Sequence, residues 1–203
     1  MNTHAPDRND GGARGLPVIR PEAADGGDAG EIRSLTAAAF DGIEQSDGRE
    51  PAIIDALREA GALTLSLVAV RSGWVIGHIA ASPVALAGPE AGGGDGHDVQ
   101  DGAVTGRWFG LGPLSVSPAH QGEGIGAALM RAALELLASE HGAAGAVLLG
   151  DPAYYDRFGF RAREGLVMEG LPEESARYFQ ALRLDGESAY PRAVVSYHPA
   201  FGV

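Results

Sequence analysis

The chain has 203 residues, enough for one sizeable core, and carries 27 acidic against 15 basic residues for a formal net charge of -12. That balance argues against a nucleic-acid surface, which needs a basic stripe, and the lack of cysteine removes disulfides, thiol nucleophiles and cysteine zinc sites. The six histidines (His4, His78, His97, His120, His141 and His198) form no HxxxH or HExxH array, so no metal site is expected, and no apolar run reaches the roughly 18 residues of a membrane span. The polar start MNTHAPDRND lacks an apolar signal segment, so the plain expectation is a soluble cytoplasmic protein.

Residues 1–15 offer little to bury and read as a disordered tail, leaving a single domain over 16–203. LPVIR (16–20) predicts a short first strand. In DAGEIRSLTAAAF (28–40), Ile32, Leu35 and Ala39 share one helical face. REPAIIDALREAG (49–61) repeats the pattern with Ile53, Leu57 and Ala60; Pro51 suits its first turn and Gly61 its C-terminal cap. LTLSLVAV (63–70) and WVIGHIAASPVAL (74–86) read as strands joined by the turn RSG. The stretch near 88–106 is rich in glycine and aspartate and reads as a mobile hairpin loop inserted in the domain, since both flanks look like strands of one sheet. RWFGLGPLSVSP (107–118) is the next strand. Its Gly110, Gly112 and Pro113 are awkward inside a sheet and predict a bulge or a place where pairing stops. The strongest helix is IGAALMRAALELLASEHG (125–142), with Ile125, Leu129, Ala133 and Leu136 on one face. A strand over 145–151, a short aromatic helix or turn over 152–160, and strands over 177–184 and 190–198 complete the order β, α, α, β, β, β, α, β, α, β, β.

QGEGIG at 121–126 concentrates three glycines between a strand and the strongest helix. Glycine costs backbone entropy, and such a cluster either turns the chain or lets bare amides approach phosphate oxygens. Gly122, Gly124 and Ala127 formally fit the dinucleotide pattern GxGxxA. SPAHQ separates them from the preceding strand, however, and the next strand ends some 29 residues on, about nine more than an NAD-linked oxidoreductase would show. No GxxxxGK[ST] is present, so a P-loop is out.

LSVSPAHQGEGIGAALM fits a third pattern. Val116, Pro118, Gln121, Gly122, Gly124, Ile125 and Gly126 match V-x-P-x-x-[QR]-G-x-G-[IL]-[GA], and AYYDRFGF at 153–160 matches [FY]-Y-x-x-x-G-F one strand later. The chain from about 16 to 203 thus resembles the GCN5-related N-acetyltransferase superfamily, and VLLGDPAYYDRFGF with VVSYHPAF resembles its YhbS-like branch. It departs from the pattern in the 88–106 insert and in Gly150-Asp151, where many relatives have an asparagine. The resemblance implies an α/β fold in which a mixed central sheet, flanked by helices, has two parallel strands splayed apart. It implies acetyl-CoA as cosubstrate and no metal. The pantetheine would run along Leu114, Ser115 and Val116. The pyrophosphate would rest on Gln121, Gly122, Glu123, Gly124, Ile125, Gly126 and Ala127 at the helix N-terminus, with Tyr155 and Phe158 nearby. Homodimers are common in that superfamily, and nothing here forces one.

The implied chemistry is attack by an amine of a small molecule or peptide on a thioester, which needs a neutral nitrogen, a polarised carbonyl and a proton for the departing sulfur. Tyr155, four residues before Gly159, falls where the superfamily keeps its general acid, whereas Tyr154 and Phe160 read as packing residues. The base is open: His78 on a strand is one candidate and Asp151 another, the latter equally suited to cap the helix that starts at Pro152. Glu44 and Asp47 could line the acceptor side. A catalytically silent CoA-binding module of the same fold is the competing reading, and Tyr155 argues against it.

Overall fold

The computed structural model describes residues 15–43, 46–88 and 106–202. The tail over 1–14, Glu44 and nearly all of the 88–106 insert lie outside the described residues. The elements are β1 (Val18–Pro21), α1 (Ala29–Phe40), α2 (Glu50–Glu59), β2 (Leu65–Arg71), β3 (Trp74–Ala87), β4 (Arg107–Val116), α3 (Ile125–Ser139), β5 (Ala143–Leu149), α4 (Pro152–Tyr155), β6 (Leu166–Met168), β7 (Phe179–Arg183) and β8 (Ala193–Ser196). The main sheet runs β1-β2-β3-β4-β5-β7, and β8 joins the far end of β3 while pairing with β6. All neighbours in the main sheet are antiparallel except β4 and β5.

Alternation along the strands gives each face its own cover. On one side Leu67, Ala69, Ile79, Ala81, Phe109 and Ala146 meet Ile125, Leu129, Met130, Ala133 and Leu137 of α3. Burying Leu129 or Leu137 completely stabilises the fold by about 1.5–3 kcal/mol each. α3 lies close because Gly77 has no side chain: a Cβ there would come 2.9 Å from Ile125 Cγ2 and Leu129 Cδ1. On the other side α1 and α2 pack Ile32 and Ile54 onto Val68. Beyond them Trp108, Val147, Leu166, Phe179, Ala193 and Val195 form a second core under β6 and β8.

Three expectations need correction. In α2 the buried partner of Leu57 is Ile54, because that isoleucine faces α1, and the neighbouring Ile53 is left half-buried. In α3 the last core contact is Leu137, with Leu136 half-buried beside it. The strand expected from 177 starts at Phe179, after a 3-10 turn over Glu173–Tyr178; the three-residue β6 has too little pattern to be read from sequence.

Candidate active site

The sheet opens at one place. β4 pairs with β5 from Arg107 to Gly110, the last rung being Gly110 opposite Val147. From Leu111 to Val116, β4 keeps only β3, while Leu148 and Leu149 of β5 keep only β7. A bulge marks the departure: Leu111 and Leu114 face Ala81 and Ile79, so Gly112 and Pro113 together oppose Ala80. The irregular residues GLGP thus sit where pairing ends, as their sequence suggests. Alternate residues of the freed segment turn their amides and carbonyls toward the gap. Gln121 closes one end, its Nε2 donating to the Val116 carbonyl at 3.2 Å.

Above that end lies the glycine turn. Gly122 and Gly124 have φ of 80° and 82°, a left-handed conformation that other residues rarely adopt, and a Cβ on either would face open space. Gly124 is the N-cap of α3, and no side chain caps that terminus, so first-turn amides point outward with the positive end of the helix dipole. Gly126 differs from the other two. It is buried inside the helix, and a Cβ there would come 2.7 Å from the Tyr154 hydroxyl and 3.5 Å from Val116 Cγ2, so it makes room for Tyr154. Glu123 accepts from Arg71 Nη1 at 2.7 Å and lies 3.3 Å from His120 Nδ1. The Arg71 hydrogen bond, then that of His120, holds its carboxyl below the usual range. Arg71 carries no sequence signal: it ends a strand far from the motif and reaches it only through the fold.

Tyr155 sits on the α3 side of the gap, at the end of β5. Its ring lies against Gly150, where a Cβ would come 3.0 Å from Cδ2 and closer still to Cε2. Gly150, a departure from the family pattern, therefore vacates the space that Tyr155 fills. Its amide bonds to the Tyr178 carbonyl, and its carbonyl accepts from Gln180 Nε2 at 3.0 Å, which fixes the platform. Tyr154 and Phe160 hold the ring edge-on, with centroids at 4.9 and 6.2 Å. Burial pushes the Tyr155 phenol up to about 12. Phe158 is half-buried beneath Arg131 and against Tyr154. Asp151 is the α4 N-cap and accepts from the Ala153 amide at 3.0 Å, the capping role weighed for it in the sequence.

His78 lies on the opposite face, fully buried under α1 and α2. The Ser66 hydroxyl donates its one proton to Glu22, which Arg58 also binds at 2.8 and 3.1 Å. Ser66 must then accept from His78 Nε2, 2.9 Å away, which leaves Nδ1 as a bare lone pair. That nitrogen is buried and has no partner among the described residues. Burial pulls the imidazole down to about 4 against the attraction of Glu22. For Glu22 burial acts upward, but bonds from Arg58 and Ser66 outweigh it and keep the carboxyl low. His78 is thus a neutral group locked in a polar network, a weak base at neutral pH. Ser115, its neighbour across the ladder, donates to Thr36 of α1 at 3.1 Å. No grouping of metal-ligating side chains occurs among the described residues, and none of their helices is long and apolar enough to cross a membrane.

A parted pair of parallel strands, with an uncapped helix N-terminus above the opening and a half-buried phenol beside it, is the architecture of an acyl-CoA-dependent acyltransferase. Residues 66–162 match the family described as the acetyltransferase (GNAT) domain. The chain is 37% identical over 178 residues to the uncharacterised N-acetyltransferase YhbS of Escherichia coli K12, covering 86% of this chain and 93% of that protein. A GNAT acetyltransferase from Brucella melitensis, solved in complex with acetyl-CoA, is 45% identical with a TM-score of 0.69, covering 91% of this chain and 97% of that one. Escherichia coli YhbS in complex with CoA superposes with a TM-score of 0.70 at 33% identity, covering 93% of each chain. The chain belongs to the GNAT acetyltransferase family, the acyl-CoA-dependent N-acetyltransferases.

Proposed function

We propose that this chain transfers the acetyl group of acetyl-CoA directly to a primary amine of a small molecule or peptide, within one ternary complex. The observation that carries this reading is the parting of β4 from β5 beneath the glycine turn. A cosubstrate carrying phosphates at one end and amides along an extended arm fits that cradle. The phosphates meet outward amides of 122–127, and the arm's amides pair with the freed backbone of Leu114, Ser115 and Val116. The single domain begins near residue 16.

The chain's own groups then divide the chemistry. The nitrogen–carbon bond forms as the carbon–sulfur bond breaks, and the proton lost by nitrogen balances the one gained by sulfur. Tyr155 stays protonated throughout the neutral range and donates a hydrogen bond to the sulfur as its charge grows. The same burial makes it a weaker acid than an ordinary thiol, about 8.5, so complete transfer from it is uphill and its effect belongs at the low end of the usual 10²–10⁴. His78 contributes through the fold, with its proton on Nε2. The test is calorimetry with CoA, followed by thiol release from acetyl-CoA in the presence of spermidine, lysine amide and short peptides. Micromolar CoA binding with amine-dependent thiol release is expected. Binding without release from any amine would leave a CoA-binding module, and no binding would remove the assignment.

A further inference from the structure

Two hydroxyls at the rung where β4 leaves β5 have no role in the scheme above. Ser82 on β3 is the ladder partner of Gly110. It is fully buried, and its Oγ has no hydrogen-bond partner among the described residues. Tyr197, the residue after β8, lies over the same rung: a Cβ on Gly110 would come 2.5 Å from its Cε1 and 3.1 Å from Val84 Cγ1. Its ring is partly exposed and meets Phe201 edge-on with centroids 4.9 Å apart, yet its hydroxyl is buried and equally without a partner among the described residues. Burial raises its phenol pKa. Sealed hydroxyls without partners are rare, because each costs free energy that folding need not spend. Two of them converge on one glycine.

The location gives them a use. An arm held by phosphates at the glycine turn can only descend β4 from Val116 toward Gly110, so its reactive end lies at this rung. Tyr155 stands on the α3 side of the gap. Ser82 has the parity of His78 and Tyr197 belongs to the second core, so both stand on the other side. An amine entering there faces the thioester carbonyl with the sulfur's donor across from it. We infer that the hydroxyls of Ser82 and Tyr197 receive the acceptor nitrogen, accepting its N–H groups and turning its lone pair toward the thioester. Hydroxyls suit a neutral amine, since a carboxylate would hold it as ammonium. The partly exposed Tyr197 and Phe201 rings are the cover through which the amine enters.

The inference rests on the acetyltransferase reading, and the test separates the two. Tyr197→Phe and Ser82→Ala are measured for melting, CoA binding by calorimetry, and thiol release with spermidine, lysine amide and an alanine-terminated tripeptide. Tyr197→Phe removes only an unpartnered hydroxyl, so it should raise the melting temperature of the ligand-free protein by about 2–4 °C. CoA affinity should hold, and kcat/KM for the amine should fall about 10-fold in each variant. A hydroxyl with a purely structural bond would give the opposite melting shift and leave the amine kinetics alone, which would overturn the inference. Thiol release absent from the wild type with every amine would sink the parent reading instead. A lower midpoint for Tyr197→Phe, with amine-dependent release intact in the wild type, refutes this inference alone and leaves the parent reading standing.

Discussion

Gly150→Ala tests whether the Tyr155 hydroxyl is held in place by a missing side chain. Gly150 does not have a positive φ, so alanine fits its backbone. Its new methyl meets Tyr155 Cδ2 at 3.0 Å and Cζ at 3.3 Å, with Cε2 nearer than either. Ordinary contact needs about 3.5–4.0 Å, so the ring must retreat on the order of 1 Å. Tyr154 and Phe160 close the other sides, so the strain costs about 1–3 kcal/mol of stability. For the role proposed for the Tyr155 hydroxyl, a displacement of this size costs up to about 10²-fold in rate. Tyr155→Phe, which removes the hydroxyl in place, should cost about the same, or about 2.7 kcal/mol of barrier. The decisive measurement is a double-mutant cycle on kcat with a working amine, under conditions where chemistry limits the rate. Gly150→Ala should cost about 10²-fold alone and less than about 2-fold on top of Tyr155→Phe. Calorimetry should find CoA affinity within a few-fold throughout. A folded Gly150→Ala enzyme at wild-type kcat would refute the role of the platform, and equal losses in both backgrounds would show that the hydroxyl is not what the methyl disturbs.

Three further outcomes are expected. Gly124→Val places a β-branched residue at φ 82°, distorting the α3 N-cap; CoA affinity by calorimetry should drop at least about 10-fold, and unchanged affinity in a folded variant would contradict the cradle. Arg71→Ala removes the guanidinium from Glu123 in the glycine turn proposed to hold the phosphates, so CoA binding should weaken several-fold at low salt and less at high salt; a salt-independent loss would argue against a charge effect. His78 has a folded pKa of about 4, below its unfolded value of 6.5, so the unfolded chain binds more protons between those values and stability is lost as pH falls through that window. From pH 7 to 5 this amounts to about 2 kcal/mol, or roughly 4–8 °C in Tm, and His78→Gln should remove that part of the slope; identical slopes in both proteins would refute the linkage.

Much of the local structure at the proposed donor side was legible because local rules write it. The glycine turn, the helix after it and the disturbed GLGP segment each combine residues whose backbone preferences are strong and whose spacing is short. Asp151 as a helix cap was readable for the same reason. The acceptor side inferred above was not. Ser82 looks like any strand serine, Tyr197 like a late packing residue, and Gly110 like a mere irregularity, until β8 returns to the end of β3 and lays the ring on the glycine. His78 stood out by residue type, but its tautomer depends on Ser66 and Glu22, which reach it from β2 and from just beyond β1. In the sequence Gly150 stands out only as a departure from a pattern; its reason lies in a ring five positions on.

The seam between β8 and the far end of β3 bears on how the fold comes apart. The main sheet from β1 to β7, with the glycine turn and the parted strands, is paired without β8. Whenever β8 undocks, Trp108 and Val147 lose the cover of Ala193 and Val195, and the far end of β3 presents an unpaired edge. A molecule in that state keeps its main sheet but carries a sticky patch where Tyr197 had lain. Local opening at this one seam would expose an aggregation-prone surface long before the rest of the sheet gives way.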